Sequence, residues 1–315
     1  GTVMSNNITD VKELYEDHTL KNGGRLGIVR FADMRQCLEI INKRFKSSSR
    51  GDAIWNNLFC VDDDNYESWR YGKEFPNRET TCDALKVGKI SQKVIREYER
   101  QRKLVERKVG IDRFMGKGLS CKRKRKASDI GDELSLSRVM SGTDKYWMRT
   151  ERHNNRKNIR IGVNYSLSHV NGSKDYARLG GTLALLSDMC YKLGYSVEIH
   201  GLGISSYHGS GDYKYIISDT IIKKPQERMD IQRVLSIMHQ GFHRDIWFGL
   251  KDKLFNINTS SYGHQAVSND EMKQIIGCDY IIEQSKINTD KNLGDFIQSS
   301  INKLSKQQSY LGSAS

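Results

Sequence analysis

Apolar positions recur with two different rhythms along this chain, and the change falls near residue 158. In the first half, Leu26 to Phe31 reads as a short strand. Met34, Cys37, Leu38, Ile41 and Phe45 then recur at spacings of three and four, which predicts an amphipathic helix opening at Ala32-Asp33. Residues 9–18 predict a short polar helix, and Asn22-Gly23-Gly24 a turn. Residues 52–79 are expected to be irregular. Thr80, Thr81 and Asp83 supply caps for a helix running to about Val109, with Leu85, Ile90, Val94, Tyr98 and Val105 as its buried stripe. Leu134 to Met140 predicts another short helix.

From Asn158 onward short strands alternate with helices. Strands are expected at Ile159–Val163, Tyr195–Ile199, Tyr213–Ile222 and Tyr280–Glu283. Helices are expected at Asp175–Leu193, Asp230–Gln240, Asp245–Phe255 and Leu293–Leu304, with Gly194 stopping the first. Strand–helix alternation implies an α/β fold with a mostly parallel sheet flanked by helices. The expected organisation is a smaller irregular α+β region at 4–150, basic and aromatic, followed by the α/β domain at 158–306; Gly1 to Val3, ahead of Met4, are taken as a tag remnant.

Charge changes this picture most. Residues 86–126 hold sixteen Lys/Arg against Glu97, Glu99, Glu106 and Asp112, a net of +12 in a chain whose total is +13. The remainder is near neutral, so the excess is a local device whose natural partner is a polyanion. The first part lies on the expected helix, where Lys89, Lys93, Arg96, Arg100, Lys103 and Arg107 project away from the apolar stripe. The last part is Lys122-Arg123-Lys124-Arg125-Lys126, five consecutive cations expected to form a loop that an anion orders. Tyr98, Phe114, Tyr146 and Trp147 flank the block and are suited to stacking on unpaired bases.

Other features narrow the classes. The six cysteines are scattered without a C-x-x-C pair, which suits reduced thiols in a cytoplasm. A mean hydropathy of −0.65 and the lack of a long apolar run argue against a membrane protein. His239 and His243 stand one helical turn apart without an evident third metal ligand, and are expected at the surface or a helix end. Asp62-Asp63-Asp64 is expected to be a solvated acidic turn. Gly201-x-Gly203 lacks the rest of a dinucleotide loop, and Ser166, Ser168 and His169 lack a nucleophile elbow. No Walker motif or pair of catalytic carboxylates stands out, so the expectation is a protein that is not an enzyme.

The run Asn164-Tyr165-Ser166-Leu167-Ser168, between a strand and a helix that ends on a glycine, resembles the opening of a von Willebrand factor A domain. That family's D-x-S-x-S motif helps to hold Mg²⁺ in a metal-ion-dependent adhesion site, which places the resemblance on Asn164, Ser166 and Ser168. Asn in place of Asp removes the charge that most attracts the cation. The expectation is therefore a degenerate site without a cofactor, Mg²⁺ being the ion it would take. Trp55, Trp69, Gly131-Asp132-Glu133-Leu134, Arg178-Leu179-Gly180-Gly181, Gly194 to Glu198, Met229-Asp230-Ile231 and His243-Arg244 also resemble an uncharacterised family of phage-encoded proteins with such a domain. A weaker similarity is to single-stranded-DNA-binding transcription cofactors of podoviruses. Together these imply a cytoplasmic protein of an infected bacterium. It would bind nucleic acid, single-stranded DNA above all, and recruit a phage RNA polymerase or replication protein. The alternative is a protein-interaction module built on the A-like domain.

Overall fold

The structure, a computed structural model, describes residues 14–44, 66–109, 125–128, 133–134, 140, 147–150, 157–168, 170–206, 213–227, 230–248, 250, 267 and 270–312. Its centre is a six-stranded sheet. In chain order the strands are β1 (Tyr15–Thr19), β2 (Arg25–Phe31), β6 (Asn158–Asn164), β7 (Ser196–Ser206), β8 (Tyr213–Lys223) and β9 (Tyr280–Ile282), arranged β1-β2-β8-β7-β6-β9. β2–β8, β7–β6 and β6–β9 pair in parallel, whereas β1–β2 and β7–β8 are antiparallel. The α/β class holds, with a mixed sheet. β7 returns to β8 directly, without the crossover helix that a parallel pair requires. The regions before 150 and after 158 share this sheet, because β1 and β2 extend it beyond β8.

A separate three-stranded sheet holds β3 (Arg125–Ser128), β4 (Glu133–Leu134) and β5 (Trp147–Thr150), in the order β3-β5-β4. Two expectations change here. Arg125 and Lys126 lie in an edge strand and not a loop, since ladder hydrogen bonds use backbone groups whatever the side-chain charge, and edge strands tolerate Lys. Leu134 is also in a strand and not at a helix start. Lys122, Arg123 and Lys124, like Asp62 to Asp64, lie outside the described residues.

The helices are α1 (Met34–Arg44), α2 (Tyr66–Tyr71), α3 (Arg78–Val87), α4 (Gln92–Val109), α5 (Ser173–Lys192), α6 (Ile231–Leu235), α7 (Asp270–Ile276), α8 (Gln284–Ile287) and α9 (Asp290–Gly312), with a π-helical turn at Phe242–Trp247. Asp33 accepts from the Gln36 N–H at 2.8 Å and starts α1 as expected. α5 ends in a Schellman arrangement: Gly194 has φ +88°, and the Gly194 and Tyr195 N–H groups reach the Tyr191 and Cys190 carbonyls at 3.0 Å each.

Several other elements differ from the sequence-based reading. Tyr15–Thr19 is a strand because its alternating polar pattern pairs with β2. Residues 66–71 form a helix inside the stretch expected to be irregular. The long basic helix is two helices. Asn77, not Thr80 or Thr81, caps α3 in a reciprocal capping box with Thr80, and Gly88 at φ +73° ends it. The 230–240 helix shortens to α6.

Core packing treats the two sheet faces differently. On one, α5 buries Leu179, Leu183, Leu186, Met189 and Cys190 against Ile159, Ile161, Val197 and Ile199, with α1 and α4 alongside. On the other, Leu26, Ile28, Leu202, Ile204 and Ile217 pack with Met272 and Ile276 of α7. Among the described residues no helix is long and apolar enough to cross a membrane.

Glycines set the closest approach. A Cβ on Gly181 of α5 would lie 3.0 Å from the Tyr98 nitrogen, 3.1 Å from the Glu97 carbonyl carbon and 3.0 Å from the Gln101 amide nitrogen, all on α4. Gly181→Val should therefore cost about 2–3 kcal/mol in a urea-unfolding measurement. Gly172→Ala, at the N-cap of α5 where nothing lies within 4 Å, should cost less, about 0.5–1 kcal/mol, the difference between glycine and alanine at a cap. Equal losses for the two would mean that the helix contact is not what Gly181 serves.

Candidate nucleic-acid interface

α4 carries the strongest functional signal, and its charge is ordered by its packing. Each residue turns about 100° around a helix axis. Val94, Tyr98, Gln101 and Val105 thus share one face, and Lys93, Arg96, Arg100, Lys103 and Arg107 share a stripe about 200° away. Val94, Gln101 and Val105 are buried, and Tyr98 packs against the core. The cationic stripe is exposed. Gln101 is a polar lock between helices. Its amide donates to the Arg178 carbonyl at 3.0 Å, and its oxygen accepts from the Thr182 hydroxyl at 3.0 Å.

The α4 N-terminus is also anchored. Glu74 accepts from the Ser91 hydroxyl at 2.8 Å and from the Gln92 N–H at 3.0 Å. Arg100 is gripped by Glu97 at 2.7 Å and by Asp290 of α9 at 3.1 Å, and these hydrogen bonds push its guanidinium still further from titration. Arg102 pairs with Glu106 at 2.8 Å. Among the described residues no carboxylate pairs with Lys93, Arg96, Lys103 or Arg107. Lys89, in the turn before α4, sits 5.9 Å from the Phe75 ring centre. The sequence-predicted cations on the helix therefore converge on one surface. The backbones of Arg125 and Lys126 belong to the small sheet.

The motif at the end of β6 is occupied structurally. The Asn164 amide donates to Glu283 at 3.2 Å, and its oxygen accepts from the Ser166 N–H at 3.1 Å. The Ser166 hydroxyl accepts from the Ile204 N–H, and the Ser168 carbonyl accepts from Arg244 at 3.1 Å. Asn164 and Ser166 tie β6 to β7 and to the residue after β9. Among the described residues no group of three or more His, Cys, Asp or Glu is arranged to hold a metal. Gly201 and Gly203 lie inside β7, where a Cβ at Gly203 would come within 2.9 Å of Trp247 and of Tyr165.

The two histidines expected at the surface are buried. His243 is hydrogen-bonded to the Tyr176 hydroxyl at 2.7 Å. His239 packs on Phe75 with ring centres 5.0 Å apart, and no hydrogen bond of good geometry reaches its ring nitrogens. Burial pulls its pKa down to about 4, with the Ser236 backbone opposing, so it is neutral at pH 7. The next turn wraps into the π-helix, where Asp245 accepts from Arg70 of α2 at 2.8 Å.

A charged cluster on the opposite sheet face escaped the sequence reading. His200 of β7 lies between Asp219 of β8 and Glu198, at 2.6 Å from each. Arg30 of β2 continues it, reaching Asp219 at 2.6 Å and Glu16 of β1 at 2.8 Å. Arg160 of β6 approaches Glu198 at 3.3 Å. Five strands contribute, so no sequence motif exists; the one local sign is the i, i+2 spacing of Glu198 and His200. Burial disfavours the imidazolium, but the two carboxylates outweigh it and hold the pKa up at about 9. Both ring nitrogens are committed as donors, which leaves no free nitrogen to act as a base.

Because that value lies above the ordinary 6.5, the clamp stabilises fully below about pH 6.5. Its contribution fades as pH rises to and through about 9. Urea midpoints should fall between pH 7 and pH 10 in the native protein and fall less in His200→Gln. The same slope in both would exclude this assignment.

A family model described as a domain of unknown function (DUF7192) matches residues 64–308. No curated protein and no solved structure matches the chain.

Proposed function

We propose that this chain, which belongs to the DUF7192 family of domains of unknown function, binds nucleic acid along the exposed face of α4, with single-stranded DNA preferred. The observation that carries this is the stripe of Lys93, Arg96, Lys103 and Arg107, which among the described residues pairs with no carboxylate, on a helix whose opposite face is locked into the core. Cations whose backbone is already fixed bind phosphates with little further ordering, and release counterions as they do so. The near-neutral remainder of the chain favours a local contact over a general attraction. Lys122 to Lys126 would add phosphate contacts beyond the end of α4.

In this reading the protein is not an enzyme and needs no metal. Asn164, Ser166 and Ser168 serve the sheet edge. The clamped His200, which has no ring nitrogen to spare, supports a structural role for the most charged buried cluster. The protein acts in the cytoplasm of an infected bacterium as a transcription or replication cofactor, holding a single strand for a polymerase. The resemblance of the region after residue 158 to phage proteins supports that setting.

Fluorescence anisotropy with a labelled oligonucleotide, titrated across salt, tests the interface. Affinity should fall steeply with ionic strength. Lys103→Ala/Arg107→Ala should weaken binding and reduce the slope of log K against log salt by about 1.4, roughly 0.7 for each lost contact with a single strand. Neutralising residues 122–126 should reduce it further. Binding indifferent to salt and to these substitutions would reject the proposal.

A further inference from the structure

A groove of about 560 Å³ opens where α1, α3 and α6 meet. Met34, Leu38 and Leu85 form its buried floor. Val87, at the end of α3, is 77% exposed beside it. Lys86 and Arg233 line it as well. Among the described residues no carboxylate pairs with Arg233, and Lys86 meets Asp83 only at 3.9 Å. Asp230 and Glu39 also line the groove; each already accepts one hydrogen bond, Asp230 from the Arg233 N–H at 3.2 Å and Glu39 from Arg35, another lining residue, at 3.0 Å, and each has a second oxygen.

We infer that this groove seats one unstacked base of the strand whose phosphates follow α4. The inference rests on the proposed nucleic-acid reading and adds to it a base-binding site separate from the phosphate track. Continuity is the main argument. Lys86 lines the groove, Lys89 lies in the turn that follows Gly88, and Lys93 begins the α4 stripe, so within eight residues of chain three exposed cations join the groove to the helix.

Size and chemistry agree. The volume lies within the range of small-ligand pockets, about 300–1,000 Å³. The apolar floor offers a dry surface to the face of a base. Arg233 and Lys86 suit the phosphates on either side of it, and the two carboxylates can accept from exocyclic amino groups. A duplex keeps its bases stacked and paired, so this groove would be filled only by a single strand. It would therefore be the source of strand preference, whereas α4 alone gives affinity without preference.

The test uses the full chain. A single-stranded oligonucleotide carrying photoreactive 5-iodo-2′-deoxycytidine, which keeps the exocyclic amino group, is photo-crosslinked and the attachment sites are mapped. Crosslinks are expected within residues 34–39 or 85–88. In parallel, Val87→Glu, a substitution at an exposed position, should weaken single-strand binding about tenfold, or ~1.4 kcal/mol, while duplex affinity stays as in the native protein. Lys103→Ala/Arg107→Ala should weaken both. Intact single-strand affinity in Val87→Glu, or crosslinks confined to α4, would overturn the groove and leave the α4 reading standing. Absence of binding by the native protein would remove both. Loss of self-association in Val87→Glu, with its single-strand preference retained, would give the groove to a second copy of the chain and overturn the inference.

Discussion

The close contact between α4 and α5 is the constraint on which the arrangement of charge depends. Glycines in a helix interior cost roughly 1 kcal/mol each relative to alanine, and α5 carries two in succession, Gly180 and Gly181. What they permit is backbone proximity. At Gly180 a Cβ would meet Val94 at 2.8 Å and Met238 at 3.1 Å, and at Gly181 it would meet the α4 backbone itself. Gln101, fully buried, then fills its hydrogen bonds from α5 and from its own helix. A helix with this many cations would be weakened by self-repulsion if isolated. Seated on α5, it has one orientation, and its basic stripe has one direction to face.

Among the described residues two further sets of charges are paired, one across the strands and one between helices. Glu16, Arg30, Asp219, His200, Glu198 and Arg160 form one such chain across the sheet, and Arg100, Asp290 and Arg178 form another between α4, α9 and α5. Several of these pairs are half-exposed, and such pairs contribute little to net stability. Here the first chain joins β1 and β2 to β6, β7 and β8, so the residues before 32 and after 158 take one register in one sheet. Exposed cations that pair with no carboxylate among the described residues are then distinguishable from those that hold the fold.

Some elements were legible because local chemistry and tertiary environment agree. β2 carries Leu26, Ile28, Val29 and Phe31, all buried, so both of its faces are covered. α5 combines a three-and-four apolar spacing with a terminal glycine, and both its length and its stop were readable. The basic stripe of α4 was readable for the same reason, since helix periodicity alone separates Lys93, Arg96 and Lys103 from Val94 and Val105. The break at Gly88 was missed because helical periodicity continues across it, and Leu85 and Val94 both remain in the core. β1 was missed because its polar alternation has meaning only once β2 lies beside it.

The sequence by itself determined the α/β class, the helix α5 with its glycine stop, and the basic stripe that runs along Lys93 to Arg107, because each of these depends on spacing within one segment. The tertiary structure alone decided the mixed pairing of the sheet, the clamp around His200, the use of Asn164 and Ser166 as hydrogen-bonding partners of neighbouring strands, and the groove beside Val87. Those features join residues from segments far apart in the chain. Their distances and burial do not exist until the sheet has assembled, so no local pattern could carry them.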